Sequence, residues 1–275
     1  MRCVEELVKD NIEIKKNIVE MCHRLGNNGA HLGGCLSLAE IMTVLYCKVL
    51  AVDDENLMSE NRDRVIMSKG HGSIAMYAGM IQRGLINSLE DIGGLLGELN
   101  IYYKQEVRNV NHGLEFSSGS LGQGLAFAIG IAWSLKKKGN RVSKIYVVVG
   151  DGECNEGSVW EAASIAGHLK LDNIIVIVDK NGLQIDGRTA DINCQNNMEE
   201  RWRCFGFETV EIDGNNLKDV EIGLKHEHEG KPLAVIANTI KGNGVSYAAN
   251  NVEWHQNVMT DELYKQALSD IGGMM

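Results

Sequence analysis

The sequence has few of the features that would define several other protein classes. It contains one proline, Pro232, among 275 residues and no low-complexity linker, so we predict a single domain over residues 1–275. It has no apolar run of about 18 residues, which argues against a membrane protein. Residues Met1–Lys16 lack the compact apolar segment and cleavage site of a signal peptide, and we expect a cytoplasmic protein.

Cysteine pairs at metal-binding or redox spacing are also missing. The seven cysteines are odd in number and include no C-x-x-C pair. Neither a disulfide framework nor a zinc site is therefore indicated, and we expect reduced thiols.

The sequence has fewer basic residues than acidic residues. The chain has 27 Lys and Arg against 37 Asp and Glu, a formal charge of -10. Affinity for nucleic acid comes chiefly from Lys and Arg that displace counterions, so we expect no nucleic-acid partner. A phosphorylated ligand stays possible, because a local pocket of metal ion, histidine and backbone N–H groups can bind phosphate in an acidic protein.

Hydrophobic periodicity predicts two helices near the N-terminus. Apolar residues recur at helical spacing over residues 5–25, and again over residues 37–50. We expect the second helix to begin just after a turn at Gly33-Gly34.

Three short apolar runs, rich in β-branched residues, predict buried strands at Lys144–Val149, Asn173–Val178 and Leu233–Asn238. Between the first two, an Ala- and Glu-rich stretch predicts a helix over Glu156–Leu169, which makes a β-α-β crossover. The fold class that follows is α/β, a parallel sheet with helices on both faces.

Two polar motifs follow the first two predicted strands, Gly150-Asp151-Gly152 and Asp179-Lys180-Asn181-Gly182. Ligands of an open parallel sheet bind beyond the carboxyl ends of its strands. Asp151 and Asn181 offer the oxygen ligands that Mg²⁺ prefers, and the helix beginning near Glu156 could add the positive end of its dipole. Either motif alone could equally be a simple turn, but together they predict a diphosphate and metal site.

With 28 residues between them, Gly150-Asp151-Gly152 and Asn181 resemble the signature of thiamine-diphosphate enzymes. Further segments narrow the resemblance to transketolase and run in that family's order over nearly the whole chain. These segments are Ala30–Gly34, Asp63–Ser73, Ser118–Gly124, Gly150–Gly157, Asn181–Gly187, Asn238–Gly242 and Glu253–His255. The resemblance implies the thiamine-diphosphate-binding fold and, as cofactors, thiamine diphosphate with Mg²⁺, Ca²⁺ or Mn²⁺.

The resemblance also implies roles for ten residues. The metal ligands would be Asp151, Asn181 and the backbone carbonyl of Leu183. The cofactor contacts would be His71, Gly119, Leu121, Gly152, Glu156, Asn181 and His255, with Gly119 and Leu121 near the aminopyrimidine and Glu156 in a carboxylate network between subunits. The catalytic residues would be His31, His71 and His255.

Histidine suits the proton transfers to a sugar hydroxyl that such a reaction requires near neutral pH. His31 and His71 each lie among glycines within a matched motif. His255 could instead be a packing residue beside Trp254, and His226 and His228 are expected to be surface residues in a charged run.

The chain resembles the N-terminal subunit of split transketolases. Such an enzyme transfers a two-carbon ketol unit from a ketose to an aldose, and its sugars are often phosphorylated. In this family the glutamate and the aromatic pocket for the cofactor's aminopyrimidine lie in the following domain. The resemblance therefore implies a separate C-terminal subunit, two copies of each chain, and no activity of this chain alone.

The sequence departs from the family pattern at residues 101–112. The family's Gly-His-Pro-Glu segment is missing there, and His112 falls a few residues too late to replace its histidine. His31-Leu32-Gly33 also stands where His-Pro-Gly is usual. We hypothesise that the donor ketose differs from xylulose 5-phosphate and is a modified sugar whose anionic group meets Lys104 or Arg108. Divergence of the loop with unchanged specificity is an equal alternative.

Three other interpretations remain. One is a different thiamine-diphosphate enzyme, of the 2-oxo-acid dehydrogenase or deoxyxylulose-phosphate synthase type. Another is a nicotinamide-dependent dehydrogenase, which is disfavoured because Gly119, Gly122 and Gly124 are spaced G-x-x-G-x-G rather than G-x-G-x-x-G. The third is a non-catalytic cofactor-binding partner on the same fold.

Overall fold

A computed structural model of the chain describes residues 2–53, 55–92, 104–194 and 197–274. The first part of the departing loop, residues 101–103, therefore lies outside the described residues. Among the described residues, no helix combines the length and the apolar character that crossing a bilayer would require.

The centre of the fold is a five-stranded sheet of order β1-β2-β3-β7-β6 in which every neighbouring pair is parallel. A separate two-stranded antiparallel hairpin, β4 and β5, follows β3. The strands are β1 Arg64–Met67, β2 Ile145–Gly150, β3 Ile174–Lys180, β4 Leu183–Gln184, β5 Gly187–Arg188, β6 Glu208–Asp213 and β7 Leu233–Asn238.

Helices cover both faces of this sheet, as predicted. They are α1 Val4–Arg24, α2 Leu32–Leu36, α3 Ala39–Val44, α4 Ser73–Arg83, α5 Leu89–Ile92, α6 Gly124–Lys137, α7 Gly157–His168, α8 Thr189–Ile192, α9 Met198–Cys204, α10 Leu217–Leu224 and α11 Asp261–Gly272. Short 3-10 turns occupy Gly26–Asn28, Gly70–Gly72, Val110–His112, Glu153–Asn155 and Val252–His255, and Leu45–Val49 is a π-helix.

Alternating residues of the central strands face two separate cores. Val148 and Ile177 pack with residues of α1, α3 and α4, whereas Val147 and Val176 pack with residues of α6, α7 and α9. Both faces of β2 and β3 are thus buried, which explains why their sequences are continuously apolar. The three predicted strands and the β2-α7-β3 crossover are confirmed.

The prediction for residues 33–50 was wrong in detail. Gly33 and Gly34 lie inside α2, and the chain then forms α3 and the π-helix Leu45–Val49 rather than one helix from Ser37 to Leu50. A Cβ atom on Gly33 would lie 2.8 Å from the Trp254 carbonyl oxygen, and one on Gly34 would lie 3.1 Å from the His71 ring. These glycines allow close approach of neighbouring groups and do not form a turn.

Candidate functional site

The carboxyl ends of β2 and β3 meet at one edge of the sheet, where Gly150 is paired with Asp179. Asp151 follows β2 directly, and Asn181 follows β3. The β4-β5 hairpin continues from Asn181, so the chain brings both predicted motifs and the hairpin to the same edge, as the sequence predicted.

A cleft of about 410 Å³ opens at this edge. All ten residues predicted from the sequence line it, although their individual roles stay predictions. They are His31, His71, Gly119, Leu121, Asp151, Gly152, Glu156, Asn181, Leu183 and His255. Sequence reasoning did not identify several further lining residues, among them Lys69, Gln105, Glu153, Gln184, Ile185 and Lys241.

The Asp151 carboxylate is held by the backbone on both sides. Its two oxygens accept hydrogen bonds from the N–H groups of Gly152 and Gly182, each at 2.8 Å. Thr189 donates a third at 3.2 Å. Burial raises the pKa of Asp151, and the nearby Asp179 charge raises it further. A cation bound here would offset both effects, so the donor chemistry fits a metal ligand.

Asn181 and Leu183 present their oxygens next to Asp151. The Asn181 side-chain oxygen accepts from the Leu183 N–H at 3.1 Å. Lys241 Nζ donates to the Leu183 carbonyl at 3.1 Å, so the predicted metal ligand already accepts one bond. A carbonyl oxygen has two lone pairs and can accept a second cation. In the described part of the chain, no group of three or more His, Cys, Asp and Glu could hold a metal by itself.

Below the cleft lies a buried polar cluster, which we call the floor network, centred on Asp179. Lys69 forms an ion pair with Asp179, and both side chains are at most 1% exposed. Ser37 Oγ donates to Asp179 at 2.7 Å, Asn181 Nδ2 donates at 3.0 Å, and Thr239 completes the set. Burial opposes the charged form, but Lys69 and the hydrogen bonds lower the pKa of Asp179 on balance.

The floor network fixes the orientation of Asn181. Its amide nitrogen donates to Asp179, and its oxygen, on the other side of the amide group, accepts from the Leu183 N–H. Asp179 is therefore a positioning residue for the predicted metal ligand, in the way that outer groups orient ligands in metal sites generally.

Three histidine rings form the wall of the cleft opposite the metal ligands. The ring centroids of His31, His71 and His255 lie 5.3–5.5 Å from one another. Burial lowers the pKa of His31 to about 4 and that of His255 to about 3, and it lowers the pKa of His71 well below its usual value. Nearby lysines lower all three further. The rings are therefore neutral near pH 7.

Lys241 links the histidine wall to the hairpin. Its Nζ lies 2.9 Å from His255 Nδ1 as well as 3.1 Å from the Leu183 carbonyl. The side chain is 2% exposed, and burial lowers its pKa to about 8. With Lys69, it places a second buried ammonium beside the cleft, which favours an anionic ligand.

The Glu153 carboxylate connects the two glycine-rich loops. It accepts from the Gly122 N–H at 2.8 Å and the Gly150 N–H at 3.0 Å, and Ser68 also donates to it. Burial raises its pKa. This carboxylate sets the distance between the loop that carries Gly119 and Leu121 and the loop that carries Asp151.

The exposed Glu156 caps the N-terminus of α7, close behind Gly122, where a Cβ would lie 2.8 Å from the Glu156 Cβ. Gly119 has φ +136°, a conformation that L side chains rarely adopt. Gln105 covers Gly119, and its Oε1 would lie 2.9 Å from a Cβ there. The loop that departs from the family pattern thus contributes Gln105 to the cleft.

Residues 108–112 of that loop are not among the residues that line the cleft. Arg108 and Val110 line a separate groove of about 640 Å³ beside α6, together with Arg62 and Phe127. His112 belongs to the 3-10 turn Val110–His112 and is not among the residues that line the cleft. Lys104 lies near His31, whose pKa its charge lowers, and donates to the Asn28 carbonyl at 3.1 Å.

The fold and the cleft together define a class of protein, a parallel α/β domain with a polar cleft beyond the carboxyl ends of its strands. Comparison with known families makes this specific. The family "Transketolase, thiamine diphosphate binding domain" matches residues 17–273. The chain therefore belongs to the transketolase family and corresponds to its thiamine-diphosphate-binding domain.

Two curated relatives of similar length agree with this assignment. An apulose-4-phosphate transketolase subunit of Actinobacillus succinogenes is 39% identical over 97% of this chain and 96% of its own. The 6-deoxy-6-sulfo-D-fructose transketolase subunit SqwG of Clostridium sp. MSTE9 is 35% identical over 94% of this chain and 93% of its own.

Solved transketolases share the fold. The crystal structure of transketolase from Campylobacter jejuni has a TM-score of 0.84 and 29% identity and matches 99% of this chain. Only 43% of the Campylobacter chain is covered, so this chain spans less than half of that solved transketolase. Transketolase from Leishmania mexicana gives a TM-score of 0.82 at 26% identity, with 42% of its chain covered.

Proposed function

We propose that this chain is the N-terminal subunit of a split transketolase, which transfers a two-carbon ketol unit from a ketose to an aldose. The observation that carries the proposal is the cleft itself, in which two oxygen ligands for a metal, two buried lysines and three neutral histidines converge. The alternative thiamine-diphosphate enzymes are disfavoured by the family match over residues 17–273.

The residues present fit thiamine diphosphate with a divalent metal such as Mg²⁺. Asp151, Asn181 and the Leu183 carbonyl would hold the metal, and Lys241 and His255 would face the diphosphate. Ile185, which is 67% exposed although large and apolar, would pack against a cofactor ring at the rim. When bound, the cofactor supplies the nucleophilic carbon that accepts the two-carbon unit from the ketose.

The histidine wall would hold and move protons of the sugar. His31 lines the cleft, and its Nδ1 is buried without a hydrogen-bond partner among the described residues, so this ring nitrogen is not engaged by the protein. Because its pKa is about 4, His31 is neutral near pH 7 and can accept a hydroxyl proton. His71 and His255 are neutral for the same reason and would orient the hydroxyl groups without repelling cationic neighbours.

The rest of the enzyme is expected on a second chain. The curated relatives are named as subunits, and this chain covers nearly their whole length but less than half of the solved transketolase. We propose that the pyrimidine-binding and C-terminal domains reside on a partner chain and that two copies of each chain assemble, with residues 1–275 forming one domain. We also propose a cytoplasmic location, in keeping with free cysteines.

We propose that the donor is a modified ketose, different from xylulose 5-phosphate, that carries an anionic group, and the structure distinguishes the two basic residues considered for its recognition. Lys104 is close enough to His31 for its charge to lower the pKa of that ring, whereas Arg108 lines the separate groove. Lys104 is therefore the better candidate. The relatives named for apulose 4-phosphate and 6-deoxy-6-sulfo-D-fructose act on sugars with a phosphate or a sulfonate group, which supports an anionic donor here.

The test is binding of thiamine diphosphate with Mg²⁺ by calorimetry, followed by ketol-transfer assays with and without the protein encoded beside this chain. Asp151→Asn should weaken Mg²⁺-dependent cofactor binding by about 100-fold or more, because it removes the charged metal ligand. Asp186→Asn, a cleft residue without a predicted metal role, is the matched control.

Activity only in the mixture, and lost in Asp151→Asn, is the expected result. Tight cofactor binding without transfer in any mixture would favour a non-catalytic partner. No cofactor binding in either sample would overturn the proposal. Turnover of xylulose 5-phosphate equal to or better than that of sulfonated or branched ketoses would contradict the proposed donor class.

A further inference from the structure

Gln184, the second residue of β4, lies directly over Gly152. A Cβ on Gly152 would lie 2.9 Å from Gln184 Cγ, 3.0 Å from Cδ and 3.3 Å from Nε2. Both residues line the cleft. The glycine at position 152 therefore makes room for the Gln184 amide at the point where the diphosphate is expected.

The amide of Gln184 is an unused hydrogen-bond donor. Its Nε2 is buried and has no partner among the described residues. A buried polar group without a partner costs about 1–3 kcal/mol, so such a group beside a cleft points to a ligand.

The neighbouring donors at this point are already engaged. The N–H of Gly152, a predicted cofactor contact, donates to Asp151 at 2.8 Å. The Gly182 N–H also donates to Asp151, and the Leu183 N–H donates to Asn181. A phosphate oxygen that approaches Gly152 meets the Gln184 amide as the free donor.

Charge at this position also favours an anion. Lys241 Nζ donates to the carbonyl of Leu183, the residue before Gln184 in β4, and is buried. Lys241 and Gln184 both line the cleft, so it offers a phosphate group a cation and an amide donor, and hydrogen bonds to charged groups are stronger than neutral ones.

We propose that Gln184 is a ligand of the diphosphate group and that its Nε2 donates to a phosphate oxygen of thiamine diphosphate. The inference rests on the proposed function, because it requires the cofactor to occupy the cleft. The competing interpretation is that Gln184 only fills space above Gly152.

The test compares Gln184→Met, which keeps the length of the side chain and removes the donor, with Gln184→Glu, which places a negative charge there. The full chain is titrated by calorimetry with thiamine diphosphate and, separately, with inorganic pyrophosphate, each with Mg²⁺. Gln266→Met, at an exposed glutamine outside the cleft, is the control variant, and circular dichroism verifies that each variant is folded.

Loss of a hydrogen bond to a charged group should weaken binding of both ligands about tenfold in Gln184→Met, and more in Gln184→Glu. Unchanged affinities in Gln184→Met would overturn the inference and leave the proposed function intact. Weaker thiamine diphosphate binding with unchanged pyrophosphate binding would also overturn it, because the amide would then serve another part of the cofactor. No binding of thiamine diphosphate to the unaltered chain, either alone or mixed with its partner, would count against the proposed function itself.

Discussion

The floor network differs in its hydrogen bonding from the rim of the cleft. The rim is formed by His31, His71, Gln184 and His255. Asp179 in the floor is surrounded by donors from Ser37, Lys69, Asn181 and Thr239. At the rim, His31 Nδ1 and Gln184 Nε2 are buried without partners in the described residues. A satisfied buried network holds residues in place, whereas unsatisfied groups at a cleft are available to a ligand.

This difference separates residues that build the site from residues that act in it. Floor substitutions should chiefly change stability, and rim substitutions should chiefly change binding or rate. Measurements of stability and of binding or rate in variants of both sets of residues test this distinction.

The largest expected change in stability follows from Lys69→Met in the floor. The substitution leaves Asp179 buried without its cation, and loss of one partner of a buried pair typically costs about 3–5 kcal/mol. Urea unfolding followed by circular dichroism measures the change. The control is Lys180→Met, whose ion pair with Glu211 is about 40% exposed and should contribute about 1 kcal/mol or less. Equal effects of the two substitutions would contradict the role assigned to the floor.

A smaller effect is expected from Glu106→Gln, which tests an unsatisfied group outside the cleft. Glu106 Oε2 is buried without a partner in the described residues, and burial raises its pKa well above the usual value. The folded state therefore holds the proton more tightly than the unfolded state. Its stabilising contribution is present below about pH 4.3 and is lost as the pH rises toward the folded pKa.

Glutamine does not ionise. Glu106→Gln should therefore increase the free energy of unfolding by about 1–2 kcal/mol at pH 8 and change it very little at pH 4.5. Unfolding curves at both values give the difference. Glu115 differs from Glu106 because its carboxylate forms an ion pair with Arg62. Glu115→Gln should therefore destabilise the protein at pH 8. Glu106 Oε1 already accepts from the Met67 N–H at 3.3 Å, so a loss of stability in Glu106→Gln at pH 8 would mean that Oε2 also has a partner.

The smallest change in stability is expected at the rim, from His31→Gln. Since His31 Nδ1 makes no hydrogen bond within the described residues, the free energy of unfolding should change by about 0.5 kcal/mol or less. Ketol transfer by the complex should nevertheless fall about 10²- to 10⁴-fold, the range for loss of an acid-base group. His226→Gln, outside the cleft, is the control; a large stability change with intact transfer would place His31 among the structural residues.

The sheet could be predicted from the sequence only where its strands are buried on both faces. β2, β3 and β7 are continuous apolar runs and were identified. β6 was missed because it is an edge strand with Glu208, Glu211 and Asp213 among its six residues. β1 was missed because it is only four residues long. Neither gives a long apolar pattern.

Site residues were recognised where they belong to a glycine-rich motif and missed where their role depends on burial. Asp151, Asn181, His31 and His71 have such motifs, and they converge in the cleft. Lys69 and Lys241 were missed because lysine in a sequence is normally read as a solvated residue. Only folding shows that both are almost fully buried. For Gln184, the signal was its proximity to Asn181 in the chain, which does not reveal that it lies over Gly152.

The parallel arrangement of the five strands also has a practical consequence for attaching probes. Every strand of the main sheet enters at the edge opposite the cleft, through the segments that precede Ile145, Ile174 and Leu233. One of these segments contains Gly139, whose φ of +79° and open surroundings mark an exposed turn. A fluorophore or surface tether attached there would lie at the amino ends of the strands, whereas the cofactor cleft lies at their carboxyl ends.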